Sequence, residues 1–128
     1  MKCVKNVIDQ SEENILKIAK KAVDIASDKQ ATDILLIDIN AVGTFADFFV
    51  FVTVDNSRLM NALIDDLKVS IKQEGAELFH IEGEIDSGWV LLDFGSTIVH
   101  LFSPDTRRYY DLDSLWLRPP AKQVIKIQ

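Results

Sequence analysis

One cysteine, Cys3, is all the sulfur chemistry the chain offers beyond methionine. That excludes an internal disulfide and a cysteine-rich metal site. No stretch approaches the roughly 20 apolar residues needed to span a bilayer. The opening residues, MKCVKNVIDQSEEN, carry neither a signal-peptide apolar run nor the Arg-rich pattern of a transit peptide. A cytoplasmic protein without a membrane partner is expected. Basic residues are in deficit, 14 Lys and Arg against 20 Asp and Glu, a net charge of -6. Clustered Lys and Arg are what grip phosphates, so nucleic-acid specificity is not expected; a basic protein suits this chain better.

Reactive motifs are missing too. There is no Walker phosphate loop and no GxGxxG. The two histidines, His80 and His100, stand in strand-like runs with no nucleophile elbow beside them. Asp33 and Asp38 are five apart on one predicted strand and so face opposite sides. Asp47 and Asp93 each border an apolar run, where a carboxylate often serves as a strand-end cap. No catalytic residue, metal site or cofactor is assigned on these grounds.

What is present is a domain-sized chain of 128 residues, 48% hydrophobic and 27% charged, enough to bury a core. It reads as one domain over 1–128. The ordered core is expected over about 10–117, after a loose lead-in, with 118–128 as a tail. Ser11 reads as an N-cap with Glu12 and Glu13 in the first turn. Ile15, Ile18, Ala19, Ala22, Ile25 and Ala26 then recur at helical spacing. Asp33–Ile39 reads as a strand, 40–44 as a turn around Gly43, and Asp47–Val54 as a central strand apolar on both faces. The short gap makes these two strands antiparallel neighbours. Asp55-Asn56-Ser57 starts a helix whose buried stripe is Leu59, Met60, Leu63, Ile64, Leu67 and Ile71, ended by Gly75. Glu77–Ile81 is a short strand, and 82–88 a polar loop.

Trp89–Phe94 and Thr97–Phe102 then form a hairpin around Gly95-Ser96, glycine suiting the first position of a type II′ turn. The turn fixes the register from Phe94 opposite Thr97 to Trp89 opposite Phe102. One face carries Val90, Leu92, Phe94, Val99 and Leu101 and reads as core. The other carries Trp89, Leu91, Asp93, Ile98, His100 and Phe102, apolar with polar tips, as a protein contact would be. The same pattern also fits a strand pair covered by helices on both faces. Thr106–Trp116 reads as a closing helix, capped by Ser103 or Asp105 and stopped by Pro119-Pro120. The whole is an α/β fold, a single mixed sheet of about five strands flanked by helices.

Four ordered stretches resemble the ribosomal silencing factors, also called the Iojap family. They are Asp33-Ile34 with Asp38; Ala46–Val50 followed by Asn56-Ser57-Arg58; Glu82-Gly83 followed by Gly88–Gly95; and Val99–Phe102 followed by Arg107, Tyr110, Leu112, Asp113, Leu115 and Trp116. The resemblance covers roughly 10–117. It implies a nucleotidyltransferase-like fold without that chemistry, since Asp38-Ile39-Asn40 supplies one carboxylate and no Gly-Ser precedes it usefully. It implies binding to the large ribosomal subunit through large-subunit ribosomal protein fourteen, blocking of small-subunit joining, and homodimers in isolation. Combined with the hairpin face, it nominates Trp89, Leu91, Asp93, His100, Phe102, Arg107, Tyr110, Leu115 and Trp116 as partner-binding. Trp89, Phe102 and Tyr110 would be anchors, and Asp93 would meet a Lys or Arg. The competing expectation is a nucleotidyltransferase-like enzyme holding a divalent ion on Asp38, Asp47 and Asp93.

Overall fold

The computed structural model describes residues 2–43 and 46–128, with side chains from Glu13 onward. In chain order the elements are α1 (Lys2–Asp28), β1 (Thr32–Asp38), β2 (Phe48–Thr53), α2 (Ser57–Gln73), β3 (His80–Glu82), β4 (Trp89–Asp93), β5 (Thr97–Phe102), α3 (Pro104–Tyr110), α4 (Leu112–Trp116) and β6 (Lys122–Ile127). The strands make one six-stranded sheet in the order β3-β4-β5-β2-β1-β6. β2 and β5 run parallel at its centre; the other neighbours are antiparallel. This is the mixed α/β sheet that the sequence pattern predicts, with one more strand.

β2 is buried along its whole length, as expected of a run apolar on both faces. The hairpin register is as read, Trp89 opposite Phe102 through Asp93 opposite Ile98. Gly95 makes the turn at φ +87°, a backbone conformation that glycine adopts without a Cβ clash. Val90, Leu92, Phe94, Val99 and Leu101 join one core with Ile18, Ala22 and Ala26 of α1 and Met60, Leu63, Leu67 and Ile71 of α2. Asn56 caps α2, its side-chain oxygen accepting from the Leu59 N–H at 2.8 Å. The other face of the sheet packs Leu35, Ile37, Phe49, Phe51, Ile98 and Phe102 against Leu112 and Trp116 of α4.

Four expectations change. α1 begins at Lys2 and passes through Ser11, so Ser11 is not its N-cap. The lead-in has no Gly or Pro, and Val4, Val7 and Ile8 already carry the helical spacing that continues at Ile15. The third strand is His80–Glu82 rather than Glu77–Ile81. The closing helix is two helices, broken where Asp111 takes φ +47° and its N–H returns to the Arg107 carbonyl. Ser103, not Asp105, supplies the α3 cap. Finally, 118–128 is not a tail: β6 pairs with β1 from Ile34 opposite Ile127 to Asp38 opposite Lys122. Its β-branched residues give it strand character, and Ile125 packs on the helix-side core. Thr44 of the predicted turn lies outside the described residues, as do the side chains of Ser11 and Glu12.

Candidate functional site: an aromatic strip at the end of the sheet

α3 and α4 lie over the second face of the sheet and cover it unevenly. Trp116 meets Phe49 edge-on at 4.6 Å between ring centroids. Phe102 is wholly buried, and His100 is only 5% exposed. Toward the β3 edge the cover ends. Trp89 and Leu91 stay half-buried there, forming with Tyr110, Glu82, Gly83 and Ser87 an open cleft of about 300 Å³.

Trp89 is fixed from several sides. Its indole stacks on Phe102 at 5.4 Å and 28°, and Tyr110 lies against it at 4.9 Å. The indole Nε1–H donates to His100 Nδ1 at 3.2 Å. The backbone at its root is clasped: the Gly88 carbonyl accepts from the Ser103 N–H at 2.8 Å and from the Thr106 hydroxyl. Gly83 crosses close above, where a Cβ would collide with the Trp89 carbonyl oxygen. The loop before β4 and the start of α3 are thereby joined to one point.

The sequence-predicted residues therefore divide. Trp89, Leu91 and Tyr110 converge on the cleft. Leu115 is 58% exposed and borders a second hollow with Trp116, Val42 and Pro119. Trp116 itself is half-buried against Phe49. Phe102 and His100 are corrections to the contact set. β5 sits inside the sheet under α3, so neither side chain reaches a partner, and both instead back Trp89. Arg107 is also a correction. Its guanidinium is spent on Asp113 at 2.7 Å and on Thr53 Oγ1 at 3.0 Å, above the rings of Phe51 and Phe102. Asp93 is half-exposed but accepts from the Gly95 N–H at 2.8 Å, capping its own turn.

Burial holds the His100 pKa down, from 6.5 to about 4, and the Arg107 charge adds to the effect. The imidazole is thus neutral at physiological pH. With Nδ1 accepting from Trp89, the proton sits on Nε2.

Sequence reasoning missed Glu82, which lines the cleft, the exposed Glu84 and Asp86 in the loop after it, and Tyr109, which is 81% exposed. The acidic signal was legible: Gln73 to Thr106 contains several Asp and Glu and no Lys or Arg.

The carboxylates proposed to hold an ion do not assemble. Asp38 and Asp47 both bond Asn40, through its N–H at 3.0 Å and its side-chain amide respectively. Asp38 lines a hollow with Ile15 and Leu16 on the α1 side, whereas Asp93 lies on the opposite face with Leu91. Among the described residues no group of three His, Cys, Asp or Glu side chains is placed to hold a metal, and no helix is long and apolar enough to cross a membrane.

Comparison with known proteins agrees with the fold. A family model described as "Ribosomal silencing factor during starvation" matches residues 12–128. Ribosomal silencing factor RsfS of Bacillus subtilis is 35% identical over 106 residues, 83% of this chain and 87% of that protein. A mouse protein named "Mitochondrial assembly of ribosomal large subunit protein 1" is 30% identical over 97 residues, 73% of this chain and 42% of its own length. A crystal structure of a Chromobacterium violaceum protein superposes with a TM-score of 0.74 at 31% identity, covering 80% of this chain and 85% of that one. On sequence and fold together, this chain belongs to the ribosomal silencing factor family.

Proposed function

We propose that this protein docks on the large ribosomal subunit through large-subunit ribosomal protein fourteen and blocks joining of the small subunit by steric exclusion, repressing translation in the cytoplasm. The observation that carries the reading is the aromatic strip of Trp89, Leu91 and Tyr110, left open by α3 and α4 and edged by Glu82, with Glu84 and Asp86 exposed in the loop that follows it. Half-exposed aromatic rings on a rigid sheet are suited to act as hot spots, and the acidic rim suits a basic ribosomal protein. Family membership supports a ribosomal target, and the mouse relative's name points to the large subunit.

The contact set is Trp89, Leu91, Tyr110 and Leu115, with Trp116 behind Leu115 and Asp93 offering its remaining carboxylate oxygen to a Lys or Arg. Purified subunits mixed with and without the protein, with intact ribosomes scored on a density gradient, test the reading. Fewer intact ribosomes and co-sedimentation with large subunits are expected; undiminished joining at saturating protein would refute it.

The protein acts as a binder and not as an enzyme. The one feature favouring the enzymatic alternative is the convergence of Asp38 and Asp47 on Asn40. Nucleoside triphosphate with Mg²⁺ should leave the melting temperature unchanged, whereas an enzyme retaining nucleotidyl transfer would be stabilised. A homodimer formed through the strip would compete with docking, so large subunits should dissociate it in sizing experiments.

A further inference from the structure

His100 is the polar member of a cluster otherwise built from the rings of Phe49, Phe51 and Phe102 and the indole of Trp89. Its two nitrogens are treated unequally. Nδ1 accepts from Trp89 at 3.2 Å. Nε2 is buried without a hydrogen-bond partner among the described residues, and Phe49 and Phe51 stand nearly perpendicular to the imidazole at 5.0 Å. A buried N–H without a partner costs about 1–3 kcal/mol. Phenylalanine at position 100 would keep the ring stacking and remove that cost. What it could not supply is an acceptor for the indole, which has one donor and no other polar role.

We propose that His100 is a positioning residue for docking: its Nδ1 fixes the rotamer of the Trp89 indole, so that the anchor meets the partner already oriented. The inference rests on the docking reading above. Pre-orientation matters because immobilising a free side chain on binding costs affinity. The stack on Phe102 and the contact with Tyr110 leave the indole free to slide within its plane; the bond to Nδ1 removes that freedom. Arg107, the charged group packed nearest the cluster, is engaged by Asp113 and does not compete for Nδ1.

The test compares His100→Phe, which keeps the ring and removes the acceptor, with His100→Asn, whose side-chain oxygen falls near the Nδ1 position. In ¹⁵N-labelled free protein, with Trp89→Phe used to assign the two indoles, the Trp89 Nε1–H should exchange with solvent at least about tenfold faster in His100→Phe. It should be protected again in His100→Asn. Binding to purified large subunits should weaken about tenfold in His100→Phe and recover in His100→Asn, although His100→Phe melts no lower than wild type. An indole N–H still protected in His100→Phe, or faster exchange with wild-type affinity, overturns the inference. Weakened binding in both variants in proportion to lost thermal stability also overturns it, by marking the role as packing. Wild type and Trp89→Ala together separate the two levels. If wild-type protein itself does not bind large subunits, the docking reading fails and the inference with it; if Trp89→Ala binds as wild type, or loses binding while His100→Phe does not, the inference alone fails.

Discussion

Arg107 and Asp113 face each other fork to fork, Nε to Oδ1 and Nη2 to Oδ2, both at 2.7 Å. The pair spans the Asp111 turn and so ties α3 to α4, and the third arm of the guanidinium reaches Thr53 at the end of β2. Because the Arg107 side chain is only 12% exposed, this is a strut inside the fold. Arg107→Ala leaves Asp113 without its partner and should cost about 2–3 kcal/mol in urea unfolding. Arg107→Lys should recover part of that, since an ammonium cannot reproduce the planar fork. A loss below about 0.5 kcal/mol would place the pair with ordinary surface bridges.

His100 makes stability depend on pH in a definite direction. Its folded pKa of about 4 lies below the ordinary 6.5, so between those values the unfolded chain binds a proton that the folded chain refuses. Its contribution is therefore intact above pH 6.5 and lost as the pH falls from 6.5 towards 4. The gap corresponds to about 3 kcal/mol at the acid end. Unfolding curves of wild type and His100→Phe should run parallel above pH 7 and diverge below it, the variant gaining relative stability. Parallel curves down to pH 4 would mean that His100 protonates without penalty.

Legibility in the sequence followed the range of the interaction. The hairpin was readable because Gly95-Ser96 pins its register and alternation then sorts every side chain to a face. Which part of the second face stays open was not readable. Trp89 and Phe102 are cross-strand partners on that face, yet one is half-buried and the other wholly buried. The difference is set by where α3 and α4 lie, which depends on a left-handed residue at Asp111 and on an arginine whose partners are 6 and 54 positions away. Arg107 reads in sequence as a partner contact rather than a strut, because its partners Asp113 and Thr53 lie 6 and 54 positions away.

β6 was missed because a short strand with few inward residues carries little pattern. Ile125 faces Leu36 and packs on the helix-side core, while Val124 sits at the irregularity in the β1 pairing and is 40% exposed. Ile125→Thr should therefore cost about 1 kcal/mol, and Val124→Thr close to nothing. Equal, negligible effects in denaturant unfolding would restore the reading of this segment as a tail.

The acidic rim should act on how fast the partner arrives more than on how long it stays. Glu82 borders the cleft, and Glu84 and Asp86 are exposed in the loop after it, without a Lys or Arg in their stretch of sequence; Glu82 is also exposed beside His80. Exposed charges of one sign steer an oppositely charged patch during encounter, and salt screens that attraction over about 10 Å at 0.1 M. Replacing the three by Gln, Gln and Asn should slow association with immobilised large subunits about five- to tenfold at low salt. The dissociation rate should change little, and the salt dependence of association should flatten. Trp89→Ala should do the converse, raising dissociation while leaving the salt dependence intact. A neutralised rim with unchanged low-salt association would show that the partner's basic surface lies elsewhere.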